Sequence, residues 1–262
     1  MVDSVTTSVD VCDLVEVTAR LDTAVRVRGV QLVETKANTA YKAACAFVET
    51  FCTRGVDVTV EKGIPFGAGL GGSSADAAAV VYCMCKLFGV DVGSSAVTEL
   101  CARIGSDVNF MLFGGLGRLT GKGDEVQFAT LASPLYFALT TFDVSMSSGT
   151  VYAAFDDLPC KQQFVDNDTL LQLLATGDNA TALRHFGNCL QSATCSISSY
   201  ADRYLAFVQS LNLHSNMTGS GSAYYVACET LAEAERVAKL LNAHGFATTV
   251  CKSTSTGITE IV

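Results

Sequence analysis

Hydrophobic and polar positions alternate twice early in the chain. Asp3 to Val17 alternates around Val9, Val11, Val15 and Val17, and Val25 to Val33 alternates again. A period of two turns one face of a strand toward a core, so these stretches predict two strands, expected as antiparallel neighbours. After them, Ala40, Ala43, Ala44, Phe47, Val48 and Phe51 recur at helical spacing, which predicts a helix from Thr39 to Phe51 capped by Asn38. Val56 to Val60 is a further β-branched alternation. Ser74 to Leu87, rich in Ala, Val, Met and Leu, predicts a buried helix. Ser95 to Ile104 reads as a short helix. Gly105-Ser106-Asp107-Val108-Asn109 then reads as a turn feeding an apolar strand, Phe110 to Phe113. Gly114-Gly115 and Gly121-x-Gly123-Asp124-Glu125 mark a hairpin.

The pattern starts afresh near Gln127. Leu135 to Phe142 predicts a strand, Thr150 to Phe155 a helix, and Pro159 to Asp168 a polar connection. Helical spacing covers Thr169 to Ala175, Asn179 to Gln191 and Ser198 to Leu211. Met217-Thr218-Gly219-Ser220-Gly221-Ser222 leads into a strand, Ala223 to Cys228. A helix, Leu231 to His244, and a strand, Ala247 to Lys252, close the series. The expectation is an α+β chain of two domains, 1–128 and 129–262, with a soft boundary that no long linker marks.

The most informative stretch lies between the strand ending near Lys62 and the helix starting near Ser74. It holds Pro65, Gly67, Gly69, Leu70, Gly71, Gly72, Ser73 and Ser74, with few large side chains. Glycines let backbone approach a ligand closely. The helix that follows turns its unpaired N–H groups and positive dipole end toward the loop. Strand, glycine loop and helix start together make an anion site, and phosphate is the usual anion. The P-loop pattern G-x-x-x-x-G-K-[ST] is absent. Gly67-x-Gly69-x-x-Gly72 matches a dinucleotide fingerprint, with Asp91 near the place of a ribose-binding acid. Against that, the strand ends several residues and a proline too early, and paired hydroxyls suit nucleotide phosphates and Mg²⁺ better than a bare pyrophosphate. A plain glycine-rich turn with a serine cap is the third reading.

Composition narrows the picture. The chain has 262 residues, 49% hydrophobic and 16% charged, enough for one large or two modest domains. No apolar run is long enough to predict a membrane span. Met1 to Asp10 lacks the basic and apolar regions of a signal peptide. The net charge of −9, without a basic cluster, argues against nucleic acid or anionic membranes as partners. Eleven cysteines, scattered through apolar patterns, read as free thiols in a reducing cytoplasm. They complete no zinc set with the three histidines, which carry no assigned chemistry.

Pro65-x-x-x-Gly69-Leu70-Gly71-Gly72-Ser73-Ser74-Ala75 resembles the phosphate loop of the GHMP kinase superfamily. The continuation through Asp76-Ala77-Ala78-Ala79-Val80-Val81 is most similar to the branch that phosphorylates the 2-hydroxyl of 4-diphosphocytidyl-2-C-methyl-D-erythritol in non-mevalonate isoprenoid synthesis. The resemblance implies a ribosomal protein S5 domain 2-like N-terminal domain and a ferredoxin-like C-terminal domain. It implies ATP and Mg²⁺, with the loop on the phosphates and Ser73 or Ser74 near the metal. It makes Asp107 the catalytic aspartate, whose carboxylate would accept or position the proton of the substrate hydroxyl; otherwise it reads as a turn or capping residue. Asn38 and Lys62 would line the adenine pocket; alone they read as a helix cap and a strand end. Tyr152 would stack on cytosine or else sit in a core, and Gly219, Ser220 and Gly221 would close on the substrate or else form a turn. Asp76 and Glu125 read as structural. Homoserine or mevalonate kinases, or a non-catalytic nucleotide-binding relative, are the alternatives. One departure matters: no P-A-K-[IL]-N-L strand or D-G-[YF]-H segment is present, so the resemblance implies impaired turnover for this stretch of chain.

Overall fold

The structure is a computed structural model that describes residues 2–29, 35–159 and 166–261. The chain forms two compact units that interleave in sequence. One comprises Met1–Ile64, Gly71–Ala129 and Thr254–Val262, and the other Pro65–Leu70 and Thr130–Ser253.

The first unit contains β1 (Ser4–Thr7), β2 (Leu14–Ala19), β3 (Arg26–Arg28), α1 (Thr39–Phe51), β4 (Val56–Glu61), α2 (Gly72–Phe88), α3 (Ser95–Ile104), α4 (Val108–Phe113), β5 (Leu116–Thr120) and β6 (Glu125–Ala129). Its strands make two sheets, ordered β2-β4-β3 and β1-β5-β6. The expected antiparallel pairing of the two early strands is corrected here. β4 lies between β2 and β3, antiparallel to the first and parallel to the second. The long alternating stretch also divides, β1 joining β5 in the other sheet. Part of the second stretch, residues 30–33, lies outside the described residues.

The helices cover the first sheet because their apolar faces leave no other solution. Ala40, Ala43, Ala44 and Phe47 of α1 and Ala77, Ala78, Val81 and Met84 of α2 are fully buried with Val56, Val58 and Val60 of β4. Small alanines on both helices let the two backbones approach closely. Asn38 caps α1, its side-chain oxygen accepting from the Ala40 and Tyr41 N–H groups at 2.8 and 3.3 Å. Phe110 to Phe113, expected as a strand, belongs instead to α4, whose first turn closes as Met111 N–H donates to the Asp107 carbonyl at 2.9 Å. A short apolar run carries no period that separates strand from buried helix; packing against α2 decides it. Residues 254–260 return to this unit: Thr254 N–H donates to the Ser8 carbonyl, Gly257 N–H to Phe113, and Glu260 accepts from Tyr82 and pairs with Lys86.

The second unit contains β7 (Tyr136–Thr140), α5 (Ser148–Asp156), α6 (Asn167–Thr176), α7 (Asn179–Arg184), α8 (Leu190–Ile197), α9 (Asp202–Ser210), β8 (Ser215–Met217), β9 (Tyr224–Cys228), α10 (Leu231–Ala243) and β10 (Thr248–Lys252). Its antiparallel sheet runs β10-β7-β9-β8. Tyr204, Tyr224, Val237 and Leu241 lie in its core. The single helix expected over Asn179 to Gln191 is two, because Asn188 breaks the run: its side-chain oxygen accepts from Leu190 N–H and starts α8. Much of the expected connection before α6, residues 160–165, is not described. Every described cysteine is a free thiol.

Phe47 is fully buried under α2 and β4 and also packs on Phe51 and Phe88. Phe47→Ala is expected to cost about 3–5 kcal/mol of stability, read as a shift in the urea midpoint. A loss below about 1 kcal/mol would contradict this core assignment.

Candidate active site

In the first unit the glycine loop ends at the start of α2. Gly71 caps the helix with φ of 68°, and its carbonyl accepts from Ser74 and Ala75 N–H, both at 2.9 Å. The Gly72 and Ser73 N–H groups that open the helix have no earlier helical carbonyl to pair with, so they remain available to an anion. A Cβ on Gly71 would come within 2.2 Å of the Met111 methyl, a flexible side-chain end, so it is the positive φ that favours glycine here. Thr39, the first residue of α1, fixes the same end, its hydroxyl donating to the Ser73 carbonyl at 2.7 Å.

Asp107 stands at the N-terminal end of α4, one helical turn before Met111, and its side chain makes no cap hydrogen bond to that helix. The Ser106 hydroxyl donates to its carboxylate at 3.3 Å. Burial pushes its pKa up and the Ser106 bond pulls it down, with the net upward. A partly desolvated carboxyl of raised basicity is suited to take a proton from a hydroxyl. The Gly121–Gly123 turn of the β5–β6 hairpin lies beside it, a Cβ on Gly123 falling 3.5 Å from the carboxylate.

Lys62, at the end of β4, is held by two carboxylates. Its ammonium pairs with Asp13, which precedes β2, and with Asp76 of α2 at 2.9 Å. The Asp13 and Asp76 side chains are 3% and 7% exposed, so both charges are largely out of water. The other Asp13 oxygen accepts from Gly63 and Ile64 N–H at 2.7 and 2.8 Å. Asp76 keeps one buried oxygen with no hydrogen-bond partner among the described residues. Burial lifts its carboxyl to about 6, against the opposing pull of Lys62. Asp76 therefore faces inward, at a cost, rather than standing on an exposed helix face. Asp13 carries no local sequence signal; its partners lie 49 to 51 residues away.

Residues 65–70 of the loop belong to the second unit, where they meet the turn between β8 and β9. Ser222 and Ala223 N–H donate to the Gly67 and Ala68 carbonyls at 3.2 and 3.1 Å, and the Thr218 hydroxyl donates to Gly69 at 3.0 Å. A Cβ on Gly69 would lie 2.2 Å from the Thr218 carbonyl, which explains why this position is glycine. Ser220 bonds Ser148 at the start of α5 at 2.8 Å. The Asn188 amide donates to the Met217 and Gly219 carbonyls at 2.8 and 2.7 Å, and the Tyr200 hydroxyl to Ser222 at 3.0 Å. Sequence reading singled out Gly219, Ser220 and Gly221, and missed Asn188 and Tyr200, which hold this turn from the connections that precede α8 and α9. Tyr152 lies on α5 with 44% of its surface exposed, so it is not a core tyrosine.

No group of three or more His, Cys, Asp or Glu side chains that could hold a metal occurs among the described residues. On the first turn of α2, Ser73 is exposed and Ser74 half-buried. No described helix is long and apolar enough to cross a membrane.

Comparison with known proteins places these features in a class and then in a family. Residues 38–115 match the GHMP kinases N terminal domain. The 4-diphosphocytidyl-2-C-methyl-D-erythritol kinase of Macrococcus caseolyticus is 31% identical over 196 residues, 74% of this chain and 69% of that protein. The same-named kinase of Exiguobacterium sibiricum is 28% identical over 240 residues, 90% of this chain and 83% of that protein. A crystal structure of 4-(cytidine 5'-diphospho)-2C-methyl-D-erythritol kinase superposes with a TM-score of 0.78 at 24% identity, over 96% of this chain and 90% of that one. The chain belongs to the 4-diphosphocytidyl-2-C-methyl-D-erythritol kinase family of GHMP kinases. The two-domain α+β fold expected from the loop resemblance is therefore the observed one.

Two predictions follow from the loop's end. Gly71→Ala keeps a positive φ that a side chain resists, while the Met111 methyl can shift aside. It is expected to lose about 1–2 kcal/mol, read by chemical denaturation. For Asp76 the sign is set by burial: a carboxyl raised from 3.8 to about 6 stabilises most at low pH and loses that contribution as pH rises through about 6. Between about pH 4.5 and about pH 7.5 the wild type should lose roughly 2 kcal/mol relative to Asp76→Asn. A difference that stays constant across that range would contradict the assignment.

Proposed function

We propose that this chain transfers the γ-phosphoryl group of ATP to the 2-hydroxyl of 4-diphosphocytidyl-2-C-methyl-D-erythritol, the compound its relatives are named as kinases of. The observation that carries the reading is a glycine loop opening α2 with Asp107 on the helix packed against its start. In this reading the first-turn N–H groups of α2 bind the phosphates, with Pro65, Gly67, Gly69, Leu70, Gly71, Gly72, Ser73 and Ser74 shaping the loop around them. Asn38 and Lys62 serve the nucleotide side. Tyr152 and the Gly219–Gly221 turn serve the acceptor side. The Ser73 or Ser74 hydroxyl would help to hold Mg²⁺, which would supply charge neutralisation.

Asp107 takes the proton from the acceptor hydroxyl. The hydroxyl oxygen forms a bond to the γ-phosphorus, the bond from that phosphorus to the bridging oxygen breaks, and its electron pair leaves with ADP. A raised carboxyl basicity favours this role, because the proton must pass to Asp107 as the oxygen attacks. The reading takes the cytoplasm as its compartment, where the free cysteine thiols stay reduced.

The test is ADP release from ATP with the cytidine-linked alcohol, run beside homoserine and mevalonate. Turnover is expected with the first alone. Asp107→Asn should lower kcat by about 10²–10⁴-fold while leaving the KM for ATP within a few-fold. Turnover of another alcohol in preference, or an Asp107→Asn enzyme of undiminished kcat, would overturn the reading.

A further inference from the structure

The ammonium of Lys62 sits where a structural cation is least expected. A Cβ built on Gly72, the first residue of α2, would lie 3.5 Å from Lys62 Nζ and 3.0 Å from the Ile64 side chain. The charge therefore lies beside the positive end of the helix dipole, an unfavourable place unless something anionic offsets it. Asp13 and Asp76 supply that offset from two directions. Asp13 also holds the Gly63 and Ile64 N–H groups, so one carboxylate fixes both the ammonium and the backbone entering the loop. Asp76 anchors the same ammonium to the helix leaving the loop. Stability alone does not call for this arrangement. Buried ion pairs are often replaceable by apolar groups without loss, and here one Asp76 oxygen has no hydrogen-bond partner among the described residues.

We infer that Asp13, Lys62 and Asp76 are positioning residues for the nucleotide: the two carboxylates hold the Lys62 ammonium and the loop backbone beside the free N–H groups of α2, where a polyphosphate binds. The inference rests on the proposed function for the identity of that anion. Nothing in it involves the acceptor or the proton transfer, so the effect belongs to nucleotide affinity.

The experiment uses the full chain, with MgADP titrated calorimetrically and ATP varied in initial-rate assays. Asp13→Asn removes the charge at constant shape. It is expected to raise the dissociation constant for MgADP and the KM for ATP by about tenfold. The kcat at saturating ATP and the KM for the acceptor should stay within about twofold. Lys62→Met should behave alike, and Lys62→Arg should recover most of the affinity. Asp76→Asn, which spares the Asp13 bonds to the loop, is a second probe should Asp13→Asn fold poorly, and a rise of a few-fold is expected. Variants that bind MgADP like the wild type, or that lose kcat with KM unchanged, overturn the inference. A wild-type chain that binds no MgADP overturns it together with the nucleotide reading. A chain that binds MgADP but phosphorylates no alcohol overturns the kinase reading alone, and the ADP affinities then decide the inference.

Discussion

The backbone between β4 and α2 has no regular structure, yet its polar groups must be satisfied wherever they are buried. That requirement organises what surrounds it. Asp13 takes the first N–H groups, at Gly63 and Ile64. The turn between β8 and β9 gives N–H donors to Gly67 and Ala68 and a hydroxyl to Gly69. Gly71 spends its carbonyl on the first N–H groups that α2 can pair. Among the described residues, the Gly72 and Ser73 N–H groups that open α2 are left without such a partner, which suits a ligand. The loop is thus a backbone whose shape is imposed by neighbours drawn from distant parts of the sequence.

Electrostatics at the loop follow the same economy. Two nearly buried carboxylates and one ammonium are gathered around a helix start that is itself positive. Asp107, by contrast, has a hydroxyl and no cation among its described hydrogen-bond partners, and its basicity rises with burial. The two kinds of acid are therefore tuned for different work. One kind holds a cation in place, and the other is left able to accept a proton.

Where periodicity and caps agree, the sequence is legible. α1 begins and ends where the helical spacing and Asn38 say it should, and α3 matches residue for residue. Legibility fails where local pattern is silent. Phe110 to Phe113 is apolar at every position, so its helical state comes from packing against α2 and not from any period. The split of Asn179 to Gln191 turns on Asn188, whose amide reaches carbonyls 29 and 31 residues on. β4 separates β2 from β3 because sheet order is a long-range choice that alternation does not encode. The loop and Asp107 were visible because glycine, serine and aspartate carry chemistry in a short space. Asp13 was not, because its meaning lies in Lys62, Gly63 and Ile64, which the chain delivers much later.

The interleaving of the two units has a consequence for how the chain can be assembled. Residues 254–260 complete the first unit, pairing with Ser8 and Phe113 and tying Glu260 to Tyr82 and Lys86. A ribosome makes the whole of Thr130–Ser253 before it reaches them. The earlier unit therefore waits, incomplete, through the synthesis of the later one. Cutting the chain at any single peptide bond cannot yield both units whole.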